Sequence, residues 1–72
     1  MTRYLVMTIK PNGESSGFGF DDYQLARSYA RSKSISNRGA DVIVNGMGSN
    51  MFMYRNGVKC DLGGNELNNH TN

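Results

Sequence analysis

The stretch that decides the fold is Asp21-Asp22-Tyr23-Gln24-Leu25-Ala26-Arg27-Ser28-Tyr29-Ala30-Arg31-Ser32-Lys33. Leu25, Ala26, Tyr29 and Ala30 recur at i, i+1, i+4 and i+5, the spacing of an apolar stripe on a helix. The stretch therefore reads as the single helix of the chain, with that stripe toward the core and Arg27 and Arg31 one turn apart on the opposite face. Asp21 or Asp22 supplies the cap, because an aspartate oxygen accepts from free backbone amides and its charge suits the positive helix end. Continuation past Lys33 would turn Lys33 inward and Ile35 outward. The regular helix is thus expected to end within 33–36, with Gly39 as a left-handed stop.

Working outward, Arg3–Lys10 alternates Leu5/Met7/Ile9 with Tyr4/Val6/Thr8. Both sets contain apolar residues, so this is a central strand with one well-buried face and one partly covered. Pro11-Asn12-Gly13 stops it, since proline lacks a ladder donor. Ser16–Phe20 returns as a second strand, with Phe18 and Phe20 on one face. Beyond the helix, Asp41–Asn45 reads as a short strand, Gly46–Asn50 as a flexible turn, and Met51–Arg55 with Val58–Leu62 as a hairpin. Asn-Gly occurs at Asn12-Gly13, Asn45-Gly46 and Asn56-Gly57 and is a strong hairpin signal, because both residues tolerate positive φ. The order is ββαβββ: an α+β fold, a small antiparallel sheet with one helix on one face. Residues 1–62 form a single domain, and the polar stretch 63–72 is expected to be a flexible tail.

The chain has 72 residues, enough for one modest core, and a net charge of +2. One cysteine, Cys60, and one histidine, His70, give neither an internal disulfide nor a metal cluster, which suits a reducing compartment such as the cytoplasm. No basic segment leads into an apolar run at the N-terminus, and no stretch approaches the roughly 20 apolar residues that span a bilayer, so neither a signal peptide nor membrane association is expected. Catalysis needs an oriented base beside a nucleophile. His70 lies in the expected tail, Cys60 lies mid-strand without a nearby base, and one of the adjacent Asp21 and Asp22 is a cap. The expectation is a protein that is not an enzyme and carries no cofactor.

Binding is read from three features. Arg27 and Arg31 repel each other at i, i+4 with no acidic residue placed to pair with them, and guanidinium groups suit phosphates and carboxylates. Arg38 would join this set only if the helix continued beyond its expected end, and Arg55 and Lys59 sit at the ends of the last hairpin. Met47, Met51 and Met53, with Phe52 and Tyr54, form a contact-rich stretch in which one alternating set faces the helix and the other faces out. Ser16-Gly17-Phe18-Gly19-Phe20-Asp21-Asp22-Tyr23 resembles the RNA-contacting strand of RNA-recognition and cold-shock domains, where aromatics stack on bases. Ser16 replaces the usual basic residue there and Asp21 an aliphatic one. Phe18 and Phe20 are therefore either base-stacking residues or core residues packed under Leu25 and Tyr29.

The element order, with Tyr4–Ile9, Tyr23–Lys33, Met51–Tyr54, Asn56-Gly57 and Val58–Cys60, resembles small phage-encoded type I anti-CRISPR proteins. That resemblance implies a non-catalytic viral inhibitor, active in the host cell cytoplasm, that binds a host protein or ribonucleoprotein complex and blocks its nucleic-acid target. The mildly basic charge points to steric blocking or nucleic-acid contact rather than duplex mimicry. Arg27, Arg31, Arg38, Tyr54 and Arg55 are the expected partner-binding residues, in a monomer or homodimer. The alternative is a single-stranded RNA- or DNA-binding module that uses Phe18, Phe20 and Lys59 with the helix arginines.

Overall fold

A computed structural model describes residues 3–46, 49–63 and 66. The elements follow the order β1 (Tyr4–Ile9), β2 (Ser15–Phe20), α1 (Tyr23–Ser36), β3 (Asp41–Gly46), β4 (Ser49–Arg55) and β5 (Val58–Cys60). The five strands form one sheet in the order β2-β1-β3-β4-β5, and every neighbouring pair is antiparallel. This is the ββαβββ arrangement of an α+β fold. The helix links β2 to β3 by passing over β1, which lies between them.

Local chemistry sets each connection. Gly13 N–H donates to the Lys10 carbonyl at 2.9 Å and Lys10 N–H to the Glu14 carbonyl at 2.8 Å, closing a three-residue loop over Pro11-Asn12-Gly13. Asn12 tightens it by accepting from Glu14 N–H at 2.9 Å, and Gly13 takes φ +95°. Asn56 and Gly57 both have positive φ, 54° and 83°, so this pair forms the two-residue turn whose twist matches a hairpin. Asn45-Gly46 makes no turn: it ends β3, where the register with β4 shifts between Val44 and Gly46. Strand β4 starts at Ser49, inside the expected turn, and β5 ends at Cys60 rather than Leu62.

Asp22 is the helix cap. Its carboxylate accepts from Gln24 N–H at 2.8 Å. The helix runs to Ser36, with Asn37 closing its end and Gly39 at φ +84°.

The inward face of α1 differs from the expected stripe. Ala26, Ala30 and Ser34 are fully buried, whereas Leu25 is 60% exposed. Tyr29 is only partly buried, at the edge of this face. Size decides the outcome: small side chains let the helix axis approach the sheet, where Val6, Val42 and Val44 fill the interface. Arg27 and Arg31 consequently flank the packed stripe instead of opposing it.

The registers place Tyr4, Val6, Thr8, Phe18, Phe20, Val42, Val44, Phe52, Tyr54 and Lys59 on the helix side of the sheet. The other side carries Leu5, Met7, Ile9 and Ile43, with Leu5 and Ile9 exposed and Met7 and Ile43 half-buried. Strand β1 thus has the one buried and one partly covered face that its double apolar pattern indicates.

Ser34 ties the helix to the last hairpin. Gly57 N–H donates to Ser34 Oγ at 2.9 Å, and the Ser34 hydroxyl donates to the Arg31 carbonyl at 2.8 Å. A Cβ at Gly57 would lie 2.9 Å from Ile35 Cγ1, on a backbone that already favours glycine. Replacing Ser34 by alanine removes a buried acceptor while leaving shape nearly unchanged. The expected cost is about 1–2 kcal/mol, read as a lower urea midpoint at constant m-value.

Candidate binding surface on the helix flank

Arg27 and Arg31 project from α1 along its β4 side. Both act electrostatically on Tyr54, the residue that β4 presents beneath them. Lys59 is the cross-strand partner of Tyr54 in β5 and rises on the same side of the sheet, its Nζ 4.4 Å from the Phe52 ring centroid. The floor is aromatic: Phe52 and Tyr54 meet at 5.8 Å, and Tyr23 and Phe52 at 6.4 Å between centroids. Three cations therefore border one aromatic floor. The described ion pairs, Lys10–Glu14 and Arg55–Asp41, include none of them.

Arg38 extends this border toward the β4–β5 turn. With Ile35 and Asn56 it lines a shallow hollow of about 320 Å³. Gly39 N–H donates to Asn56 Oδ1 at 3.2 Å, which holds the loop carrying Arg38 against that turn. Arg27, Arg31, Arg38 and Lys59 thus share one flank of the molecule.

Two expected site residues do not join them. Tyr54 is 5% exposed and belongs to the core under α1, so it supports the surface from below and is not free to meet a partner. Arg55, its neighbour in β4, points to the other side of the sheet because side chains alternate along a strand. There it forms a 2.7 Å ion pair with Asp41, both partners partly exposed. Tyr54 and Arg55 therefore do not form one contact.

Phe18 and Phe20 lie across the helix from the cations. Phe18 stacks on Tyr29 at 5.4 Å and Phe20 meets Tyr29 at 5.1 Å, while Leu25 is 60% exposed. Phe18 keeps 54% exposure and Phe20 is half-buried. The helix body separates this pair from Arg27, Arg31 and Lys59, so the nucleic-acid constellation read from the sequence falls into two separate halves. Lys33 is the cation on the Phe18 side, with Nζ 5.9 Å from the Tyr29 ring centroid.

Cys60 is buried on the far side of the sheet, its thiol donating to the Val58 carbonyl at 3.4 Å. Met47, His70 and the Met51 side chain lie outside the described residues. So does most of the expected 63–72 tail, of which Glu66 forms an isolated bridge with Cys60. Among the described residues no three His, Cys, Asp or Glu side chains gather in a metal-binding group, and no helix is long and apolar enough to cross a membrane. Comparison with protein families, with curated proteins and with solved structures finds no match.

Burial raises the Tyr54 phenol above its ordinary value of 10.0; Arg27 opposes this by favouring the phenolate, Tyr23 adds to the rise, and Arg31 opposes it. Removing Arg27 should therefore raise the Tyr54 ionisation midpoint further, as read by ultraviolet absorbance titration. Because the folded pKa exceeds the unfolded one, the associated stability is present below about pH 10 and is lost as pH rises through the folded value. Tyr54→Phe is expected to make the alkaline fall in stability shallower.

Proposed function

We propose that this chain is a non-catalytic binding protein of the phage-inhibitor type. It docks by its cationic helix flank on a host nucleoprotein machine and blocks access of the nucleic-acid target. The observation that carries this reading is the convergence of Arg27, Arg31 and Lys59 over one aromatic floor without a carboxylate among their described contacts. General acid–base catalysis would need a titratable group positioned on the proton it transfers. Cations with no ion pair among the described residues, carried on a helix and a strand, instead suit phosphate oxygens or a carboxylate-rich protein face. Arg38 widens the same border. Tyr54 acts as the support that holds Arg27, Arg31 and Lys59 apart.

A CRISPR surveillance complex is the nucleoprotein target favoured by the resemblance in element order. Within such a complex, the cations would occupy the surface that tracks guide or target phosphates and exclude the incoming strand sterically. The single-stranded nucleic-acid reading retains one supporting observation, the 54% exposure of Phe18. Its ring already stacks on Tyr29 and stands apart from the arginines, so it offers one stacking surface without a phosphate clamp beside it.

The test is competition with a labelled target duplex for a purified type I surveillance complex. The expected result is inhibition by the wild-type chain, weakened about tenfold by Arg27→Ala with Arg31→Ala, at unchanged circular dichroism. A second arm measures binding to a labelled single-stranded oligonucleotide against salt. The inhibitor reading expects no loss on Phe18→Ala. Tight oligonucleotide binding that falls steeply with salt and collapses in Phe18→Ala would replace it with the nucleic-acid module.

A further inference from the structure

The two edges of the sheet are unequal. Strand β5 has three residues, and its Cys60 is met by an isolated bridge from Glu66. Strand β2 has six residues, and no described strand pairs with its outer side. Ser15 through Gly19 are all exposed. The usual guards of a free edge are lacking here: residues 15–20 contain no charge and no proline, and the β1–β2 register runs without a bulge.

The hydrogen bonds show which backbone groups this edge offers. Glu14 and Phe20 direct their carbonyls toward β1, accepting from Lys10 at 2.8 Å and from Arg3 at 3.0 Å. In an antiparallel ladder the bonding direction alternates along the strand. Ser16, Phe18 and Phe20 therefore bond to β1, and Ser15, Gly17 and Gly19 turn their N–H and C=O groups outward. The outward groups belong to one serine and two glycines, so another backbone can approach closely.

We propose that the outer edge of β2 pairs with the same edge of a second copy of this chain, antiparallel about a two-fold axis at Gly17, to give one ten-stranded sheet. Gly17 then bonds reciprocally to Gly17 of the second copy, and Ser15 to Gly19. Pairing all three outward residues among themselves selects this register, and charge disfavours the next one. The Gly17 axis sets Glu14 opposite Phe20 of the second copy, whereas an axis at Phe18 would set Glu14 opposite Asp22 and repel. The half-exposed Phe18 lies diagonally from its counterpart, within reach of an aromatic ring, and the Phe18–Phe20–Tyr29 cluster becomes continuous across the axis.

A second copy also fits because each molecule has one long edge that no described strand covers. Two such edges close as a dimer, and the short, bridged β5 edge does not propagate a filament. The contact is an edge and two aromatic rings, small beside the roughly 1,200–2,000 Å² of a standard stable interface. The dimer is therefore weak and depends on concentration.

Two measurements test this. Sedimentation over a roughly hundredfold dilution series should show the mass rising from 8.0 kDa toward twice that value and no further. Gly17→Pro deletes an outward N–H, and the added carbon would meet Leu5 Cδ1 at an ordinary 3.5 Å. It should weaken association at least about tenfold while circular dichroism stays unchanged. A wild-type chain that remains monomeric throughout, grows beyond a dimer, or dimerises equally well with Gly17→Pro would overturn the proposal. Should Gly17→Pro not fold, amide exchange of the wild type decides. The Ser15, Gly17 and Gly19 amides should slow with concentration while those of Ser16, Phe18 and Phe20 stay constant. Equal exchange at low and high concentration would refute the pairing.

Discussion

The close approach of α1 to the sheet is the constraint on which the rest depends. Its packed stripe is Ala26, Ala30 and Ser34, with no side chain larger than serine, set against the valines of β1 and β3. Such a stripe leaves no room for aromatic rings directly beneath it, so the rings pack along its two flanks, with Phe52 and Tyr54 still inside the buried core. Phe18, Phe20 and Tyr29 gather on the β2 side; Tyr23, Phe52 and Tyr54 gather on the β4 side. Ser34 adds a directional restraint through Gly57, which joins the helix C-terminus to the last turn. A bulkier stripe would lift the helix, separate Ser34 from Gly57 and open both aromatic clusters together.

Element order was legible because turn chemistry and period agreed. Proline with Asn-Gly marked the first hairpin, an aspartate cap marked the helix, and Asn56-Gly57 marked the last hairpin. The face of the helix was not legible from hydrophobicity. Leu25 is the most apolar residue of its turn, yet it points outward, because the site facing Val6 and Val42 is too tight for leucine. Similarly, Asn-Gly predicts a turn only where both flanking strands can pair at once. Asn45-Gly46 is taken up by β3, and the preceding proline gives Asn12-Gly13 a longer loop.

The cationic flank was half legible. The i, i+4 spacing of Arg27 and Arg31, without an acidic partner, was visible in the sequence. Lys59 belonged to the same surface and could have been found from the turn alone. A two-residue turn at Asn56-Gly57 makes Tyr54 and Lys59 cross-strand neighbours, and alternation then separates both from Arg55. The burial of Tyr54 was the harder point. Its alternation with Met53 leaves either set free to face the helix, and only the observed packing chooses the Phe52–Tyr54 set.

The helix also divides the molecule spatially. The cations crowd the β4–β5 end of the sheet, whereas the unguarded edge and the exposed Phe18 lie at the β2 end, so occupation of one surface leaves the other accessible. In a dimer joined through β2, the two cationic flanks would stand at opposite ends of the continuous sheet. With strands about 4.8 Å apart, the outermost β5 strands would be separated by about 43 Å, less any shortening from twist. If the proposed dimer and the proposed cationic surface both hold, engagement of one flank would raise the local concentration of the other. The sheet order alone thus sets the glycine-rich edge and the two arginines, which have no ion pair among the described residues, at opposite ends of the molecule.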